Sequence, residues 1–196
     1  MNKKSISIIF IISILFLGCK KDNSLANKLY LQSLDAYSKN DFLLCIKLVE
    51  KAIDLNENLI QGKLLLAKSY FFLDENSKAL KCLEKIIKDN PEFTDARIWN
   101  IRILIFSENF QQAKKYLENE LGINQTDWRV YYLYSLLAKA EGDFETQISM
   151  LEKAEIALID GAKVFGEISE IWQGLGLEER ANENLNKQKI IIGSSL

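Results

Sequence analysis

The chain contains no histidine among its 196 residues and only one proline, Pro91. Without histidine, the Ser-His-Asp and Cys-His forms of nucleophilic catalysis are excluded, and so is nearly every catalytic zinc site. One proline and nine glycines are too few for a β-sandwich or barrel, which needs a turn signal about every 8 to 12 residues. Long helices joined by short connections fit this composition better.

An excess of positive charge is also missing, because 25 lysines and arginines face 27 aspartates and glutamates, for a formal net charge of −2. Proteins that bind nucleic acid carry a basic patch or a basic net charge, so nucleic acid is not a predicted partner. The composition is 48% hydrophobic and 27% charged, which is typical of a folded globular protein and excludes wholesale disorder.

Residues 1–18 have the pattern of a secretory signal peptide. Lys3 and Lys4 form a basic start, an apolar run follows over residues 6–17, and Gly18 precedes Cys19. A basic n-region, an apolar h-region and a small residue before the cleavage point define such a peptide. A retained membrane helix is the alternative, but the run is shorter than the roughly 20 apolar residues that span a bilayer.

The end of this segment, Leu15-Phe16-Leu17-Gly18-Cys19, resembles the lipobox of bacterial lipoproteins. The resemblance implies cleavage after Gly18, a diacylglyceryl group on Cys19 and an acylated N-terminus, with residues 19–25 as a lipidated tether. It also implies attachment to a membrane of the bacterial cell envelope, facing the periplasm, with inner and outer membrane both open. The alternative interpretation is that Cys19 is an ordinary thiol after a standard signal peptide.

The other two cysteines, Cys45 and Cys82, each lie within an apolar stretch with helical spacing. Free cysteine behaves as a small buried hydrophobic residue in such stretches. We therefore predict two buried free thiols, and a disulfide between them is the alternative in an exported protein.

The remaining chain has a 34-residue repeat. Phe42, Phe110 and Phe144 each follow a polar, turn-type dipeptide, and they are spaced by two periods and then by one. The period defines five units, whose first residues are Ala26, Ile60, Thr94, Trp128 and Ala162. Counting each unit from its first residue, register position 20 is mostly small and register position 24 is always aliphatic. This pattern predicts two antiparallel helices per unit, closely packed at the small residues.

Capping residues agree with these helix limits. Asp41 and Asp143 are predicted N-caps of second helices, since short acidic side chains accept hydrogen bonds from the first turn. Gly122, Gly161 and Pro91 are predicted to mark the ends of second helices.

The second unit, with Leu66-Ala67, Tyr70, Ala79, Leu83 and Pro91 at the expected positions, resembles the tetratricopeptide repeat (TPR) family. The resemblance covers residues 26–189 and implies an all-α, right-handed superhelical solenoid of about five repeats. A coiled coil or plain helical bundle is the alternative. The tryptophan that the family usually has at register position 4 is absent from all five units, and the third and fifth units also lack its usual alanine at position 27, so these two units are degenerate. In the third unit, Arg97 and Glu120 occupy these two positions. Residues 190–196 are a predicted tail, whose isoleucines either complete the last helix or form a contact surface.

No catalytic or metal-binding pattern is present, since neither metal-ligand spacing nor a Gly-rich phosphate loop occurs. We predict no enzyme, no cofactor and no metal. The TPR resemblance implies a concave groove lined by the first helices, with protein or peptide as its partner. The predicted groove residues are Tyr30, Tyr37, Lys68, Phe71, Phe72, Trp99, Arg102, Phe106, Arg129, Tyr132 and Lys139. Aromatic residues and Arg are enriched at interfaces, but some of these side chains belong to the core in our interpretation, Phe71, Trp99 and Phe106 first.

Two functions follow as hypotheses. The preferred one is a membrane-anchored scaffold or adaptor that captures a protein partner in the cell envelope. The alternative is a transporter-associated lipoprotein that holds a small apolar ligand together with a solute-binding component. The sequence does not determine the oligomeric state.

Overall fold

A computed structural model describes residues 23–193 of the chain. Nine α-helices and no strands occur in this range. The helices are α1 (Asn23–Ser38), α2 (Phe42–Leu55), α3 (Ile60–Phe72), α4 (Asn76–Asp89), α5 (Thr94–Phe106), α6 (Phe110–Ile123), α7 (Trp128–Glu141), α8 (Phe144–Gly174) and α9 (Glu178–Gly193). The predicted signal peptide and the predicted lipidation site, Cys19, lie outside the described residues.

The helices form two compact units that divide between Ala96 and Arg97. In the first unit, α1 packs on α2, α2 on α3, and α3 on α4. In the second unit, α6 packs on α7, α7 on α8, and α8 on α9. The predicted all-α architecture of successive helix pairs is confirmed.

The turn inside each helix pair has the same backbone geometry in all five repeats. One residue per turn, at register position 15, adopts the left-handed conformation with positive φ. These residues are Asn40 (φ 60°), Asp74 (62°), Glu108 (59°), Gly142 (77°) and Gly176 (72°). Four of them are Asn, Asp or Gly, which reach this region at the lowest steric cost, so the 34-residue period is present in the backbone itself.

Second helices begin as the sequence predicts. Asp41 Oδ1 accepts a hydrogen bond from the Leu44 backbone N–H at 3.0 Å, and Asp143 Oδ1 accepts one from Thr146 N–H at 3.0 Å. Each bond satisfies a backbone donor that has no partner inside the helix. Both predicted N-caps are therefore confirmed.

Second helices end at an asparagine in the first three repeats. Asn56, Asn90 and Asn124, at register position 31, are the C-caps of α2, α4 and α6. Their backbone N–H groups donate to the carbonyl four residues earlier at 2.9, 2.8 and 2.8 Å. Pro91 follows Asn90 beyond the end of α4, as predicted. Gly122 lies in the last turn of α6, one residue before the helix ends at Ile123.

The predicted turn between the fourth and fifth repeats does not form, which corrects two predictions. Helix α8 continues from Phe144 to Gly174, so the predicted helix end at Gly161 and the predicted repeat start at Ala162 both lie inside it. Register position 31 holds Leu158 here rather than asparagine, and Ile159 follows it where the second repeat has proline. Leucine favours the helix and asparagine favours the turn, and Gly161 by itself does not end α8.

Both ends of the repeat region are longer than predicted. Helix α1 begins at Asn23, so residues 23–25 of the predicted tether are helical. Helix α9 extends to Gly193, so Ile190, Ile191 and Ile192 complete the last helix instead of starting a tail. Between Asn23 and Gly193, no helix combines the length and the apolar character needed to cross a membrane.

The core of the first unit confirms the assignment of Cys45. Cys45 is fully buried beside Ala36, Val49 and Leu65, and Ser69 Oγ donates to its Sγ at 3.2 Å. Cys82 is half-buried on α4, and both cysteines are free thiols. Burial raises the pKa of both thiols, which makes them poor nucleophiles.

Candidate binding surface

Aromatic rings from three helices meet in the first unit. The Phe42 and Phe72 rings stack with their centroids 4.9 Å apart and an interplanar angle of 9°. Tyr37 meets both rings edge-on, at 5.5 and 5.8 Å, and Phe71 meets Phe72 edge-on at 5.3 Å. We call these four residues the Phe72 cluster. Phe72 is 48% exposed, so the cluster is a partly open apolar surface.

The Phe72 cluster lies where first helices end. Tyr37 and Phe72 occupy the last turns of α1 and α3, and Phe42 is the first residue of α2. Three of the predicted groove residues are thus brought together, but at the turns rather than along the middle of the first helices. Sequence reasoning missed Phe42 as a surface residue, although its recurrence in phase with the repeat was the available signal.

The other two predicted groove residues of the first unit are half-buried. Tyr30 packs against the core formed by Ala36, Cys45, Val49 and Leu65, and burial, followed by the nearby Cys45 thiol, raises its pKa. Lys68 is half-buried on α3. Tyr30 therefore contributes to the core of the first unit.

In the second unit, α5 combines extensive burial with one aromatic and cationic face. Ile98, Ile101 and Leu104 are buried, whereas Trp99, Arg102 and Phe106 follow one another at the three- and four-residue spacing that places side chains on one side of a helix. The Arg102 guanidinium lies 4.9 Å from the centroid of the Trp99 ring, within the range of a cation–π interaction. We call Trp99, Arg102 and Phe106 the α5 face.

Exposure on the α5 face corrects one expectation. Phe106, which we expected to be a core residue, is 60% exposed. Trp99 and Phe71, the other two core candidates, are half-buried. The reason is that α5 already buries its other sides with four isoleucines, Leu104 and Ala96, and the aromatic side chains occupy the remaining side.

Helix α7 supplies the remaining predicted residues. Arg129 Nη2 lies 2.7 Å from Asp127 Oδ2, and Asp127 also caps α7 by accepting from the Arg129 backbone N–H at 3.0 Å. Burial alone raises the pKa of Asp127, but the hydrogen bonds and charge of Arg129 outweigh it, and the pKa lies below its ordinary value. The charge of Arg129 is therefore balanced locally, which weakens its case as a cation for a partner.

Tyr132 and Lys139 are further along the same helix. The Tyr132 ring lies 6.3 Å from the ring of Trp128 in a tilted arrangement, and Lys139 is exposed in the last turn of α7. Trp128 is itself 39% exposed and was missed as a surface residue, since sequence reasoning used it only as the start of the fourth repeat.

The two departures of the third repeat from the TPR pattern compensate each other. Arg97 Nε and Nη2 donate to the two carboxylate oxygens of Glu120 at 2.8 and 3.1 Å. Glu120 is only 1% exposed, and the Asn124 side-chain amide donates to it as well. A buried carboxylate needs such partners. This ion pair connects α5 to α6 and is structural rather than part of a binding surface.

A cavity of about 470 Å³ lies beside the middle of α8. Its lining residues are Gln125, Thr126, Tyr131, Lys153, Ile156, Ala157, Asp160, Gly161 and Val164. The Tyr131 hydroxyl donates to the Gln125 carbonyl at 2.6 Å across one wall. The volume is within the range of small-molecule sites. Within residues 23–193, no group of three or more histidine, cysteine or acidic side chains is arranged to hold a metal ion.

Comparison with known proteins shows similarity in fold. No family model matches the chain, and no curated protein matches it. TTC0263, a thermophilic TPR protein of Thermus thermophilus, superposes with a TM-score of 0.61 at 15% identity, covering 84% of this chain and 90% of that one. A MamA fragment of Desulfovibrio magneticus RS-1 superposes with a TM-score of 0.59 at 17% identity, covering 88% of this chain and 97% of that one. The chain therefore has an all-α, TPR-like solenoid fold.

Proposed function

We propose that this protein is a protein–protein interaction scaffold, anchored by a lipid on Cys19 to a membrane of the bacterial cell envelope. The observation that carries the interaction part is the α5 face, where Phe106 is 60% exposed beside the stacked Trp99 and Arg102. The anchor rests on the lipobox resemblance of residues 15–19. Two or more acyl chains hold a protein stably at a bilayer, whereas one chain does not.

The chemistry of the α5 face indicates the kind of partner. A large exposed aromatic ring favours an apolar side chain opposite it, and a guanidinium favours a carboxylate or a backbone carbonyl. An extended peptide or a helix that carries an apolar residue next to an acidic residue or a C-terminus meets both requirements. A TPR-like fold has no chemistry of its own, so function depends on such surfaces.

In-cell photocrosslinking tests the interaction. A photoreactive phenylalanine analogue at Phe106, and in separate strains at Arg102 and Tyr132, is expected to give a specific protein adduct in intact cells. Lys115, exposed on α6, is the matched control position and should give none. The absence of an adduct at all three test positions, or the same adduct at Lys115, contradicts the proposed interaction.

The anchor is tested separately. Cys19→Ser in the full chain should abolish labelling by a fatty-acid analogue and release the protein from the membrane fraction, while Cys82→Ser should change neither. A Cys19→Ser chain that stays in the membrane fraction with residues 1–18 still attached would mean that a retained helix, not a lipid, holds it.

A second candidate function is the binding of a small apolar ligand in a transporter system. The cavity of about 470 Å³ beside α8 favours it, because Ile156, Ala157 and Val164 form an apolar wall. Native mass spectrometry of the protein should then find a bound small molecule that is lost on Ile156→Glu. A native protein with no bound mass contradicts this candidate.

A further inference from the structure

Two contacts join neighbouring repeats in the first unit. Ser69, at register position 10 of the second repeat, donates to the thiol of Cys45, at position 20 of the first, at 3.2 Å. A Cβ atom on Gly62, at position 3, would lie 3.3 Å from Cγ2 of Val49, at position 24. Positions 3 and 10 of one repeat thus pack on positions 24 and 20 of the repeat before it.

The residue types at positions 3 and 10 depend on whether a repeat precedes them. In the first repeat, which follows no other repeat in this sequence, they are Lys28 and Asp35, and both are exposed. A repeat at the end of an array needs such a polar outer face. In the second, third and fourth repeats, these positions are small or apolar and buried; the residues are Gly62, Ser69, Ala96, Ile103, Val130 and Leu137.

The fifth repeat has the residue types of a repeat that packs on a neighbour, but they are exposed. Val164 and Ile171, at positions 3 and 10, are 51% and 62% exposed. On the other side of the same boundary, Leu151, at position 24 of the fourth repeat, is 41% exposed, although position 24 is fully buried in the first three repeats. Two surfaces of matching register are therefore both uncovered.

The continuous helix α8 keeps these two surfaces apart. Leu151 and Val164 are separated by about 20 Å along the helix axis and about 140° around it. Leu117 and Val130 have the same separation in sequence, but both are fully buried, because the chain turns between α6 and α7 and the two helices pack together. The two surfaces of α8 therefore face each other only if the helix is interrupted between them.

The middle of α8 has a weak point for such an interruption. Asp160-Gly161 is a turn-type dipeptide at the register of the turn between repeats, and glycine is a poor helix former. Helix α9 packs on the second half of α8, where the Ser169 hydroxyl donates to the Ala181 carbonyl at 2.8 Å, and it leaves the side of Val164 uncovered. The second half of α8 and α9 can therefore move together as one hairpin.

We propose that α8 opens at residues 158–161 and that residues 162–193 fold back as a hairpin onto residues 144–157. In this closed form, positions 3 and 10 of the fifth repeat cover positions 24 and 20 of the fourth, as they do in the first unit. Apolar burial favours the closed form, and the unbroken hydrogen bonds of α8 favour the straight form, so the two forms exchange. The exchange is a property of the chain alone and does not rest on a partner at the α5 face.

Paired cysteines test closure in the full chain, in a background where the three native cysteines are replaced by alanine. Gln147→Cys with Ile171→Cys should form an intrachain disulfide under mild oxidation, seen as a faster-moving monomer band on a non-reducing gel. The two positions are about 36 Å apart along a straight helix, but the γ atoms of their equivalents, Cys45 and Ser69, are 3.2 Å apart. No intrachain bond, or a bond only between chains, overturns the proposal.

Two matched controls use the same register. Ala113→Cys with Leu137→Cys, at the same positions between the third and fourth repeats, where both residues are buried, should form the bond readily. Gln147→Cys with Glu170→Cys, on the neighbouring side of α8, should form it about tenfold more slowly than the test pair, because a disulfide needs closely placed Cβ atoms. Equal rates at Glu170 and Ile171 would mean that the hairpin does not dock in the repeat register and would overturn the proposal.

Two further variants shift the exchange in opposite directions. Gly161→Ala strengthens the straight helix and should slow disulfide formation about fivefold; outside the adjacent residues and its own helix backbone, a Cβ there meets no atom within 4 Å. Leu158→Asn with Ile159→Pro copies the Asn90-Pro91 sequence of the second repeat and should speed the bond. Circular dichroism checks that each variant is folded. A rate that neither change alters overturns an opening at residues 158–161.

Discussion

At the scale of single residues, the third repeat shows how a repeat keeps its packing when its sequence departs from the family pattern. Arg97 and Glu120 each replace a residue type that is common at their positions, and the two meet in a bidentate ion pair. The first repeat has two apolar residues at the same register positions, Leu29 and Ala52. The pair is therefore one of several solutions, and its two members depend on each other.

This dependence predicts a strongly non-additive pair of substitutions. Arg97→Leu alone should lower the free energy of unfolding by about 3 kcal/mol, because it leaves the Glu120 carboxylate buried without its charged partner. Arg97→Leu with Glu120→Ala copies the first repeat and should recover most of that loss. Urea unfolding followed by circular dichroism measures both. Equal stability of the single and double variants would contradict a coupled pair.

A second prediction at this scale concerns the ionisation of Tyr70 and its effect on stability at high pH. Burial, followed by the charge and hydrogen bonding of Glu50, raises the pKa of Tyr70 to about 12. Because the raised pKa belongs to the folded state, the stabilisation is present below the ordinary tyrosine pKa of about 10 and is lost as the pH rises towards 12. Absorbance titration of the phenolate should show the highest-pH transition disappear in Tyr70→Phe and shift to lower pH in Glu50→Gln. A Tyr70→Phe titration identical to the wild type above pH 10 would contradict this assignment.

At the scale of elements, helix limits depend on a few recurring residues. The left-handed turn residue at position 15 opens every second helix, and asparagine at position 31 ends three of them. Where Leu158 replaces that asparagine, two helices become one of 31 residues. The helix break between two repeats is therefore absent where the asparagine at register position 31 is absent.

Substitutions at two of the turn residues are predicted to change the free energy of unfolding in opposite directions. Glu108 holds φ at 59° and Gly142 at 77°, a region that costs a residue with a side chain about 1 kcal/mol or more. Glu108→Gly should therefore stabilise the protein by a few tenths of a kcal/mol, after the greater chain entropy of glycine is subtracted. Gly142→Ala should destabilise it by about 1 kcal/mol.

The open space around Gly142 means that the two variants differ in backbone strain and not in side-chain clashes. Beyond the adjacent residues of the chain, no atom lies within 4 Å of a Cβ placed on Gly142, so the alanine is strained by backbone geometry and not by a clash. Thermal unfolding monitored by circular dichroism compares the two variants. A change of the same sign in both would contradict the conformational explanation.

At the scale of the whole molecule, burial is distributed unevenly along the repeats. Helix α5 buries Ala96, Leu104 and four isoleucines, whereas Ala181 is the one buried residue of α9. Repeat proteins depend on contacts between neighbours, so a repeat at the end of the array is held by fewer of them. Helix α8 adds to this difference, since Phe144 and Ile171 among its apolar side chains are exposed.

Hydrogen exchange should reflect the same uneven burial along the repeats. Backbone amides of α5 are expected to exchange slowest and those of α9 fastest, because local opening is easiest where few apolar contacts are lost. Mass spectrometry of the exchanged protein after digestion measures this by segment.

Much of the fold could be predicted from sequence because it depends on local patterns. The 34-residue period, the caps at Asp41 and Asp143 and the break at Pro91 are properties of short segments, and the structure has each of them. The candidate surface was less predictable. Register position alone cannot tell that Phe106 is exposed or that Arg129 is neutralised by Asp127, since both facts depend on which side chains fill the neighbouring space.

The sequence by itself determined the helix pairs and their repeat, because turn chemistry and apolar spacing act within a few residues of each other. Only the tertiary structure decided which departures are compensated and which leave an open surface. Arg97 and Glu120 are 23 residues apart and meet because one lies on α5 and the other on the neighbouring helix α6. Leu151 and Val164 occupy the register positions that Leu117 and Val130 hold one repeat earlier. Leu117 and Val130 are buried, whereas Leu151 and Val164 stay apart because both lie on one continuous helix.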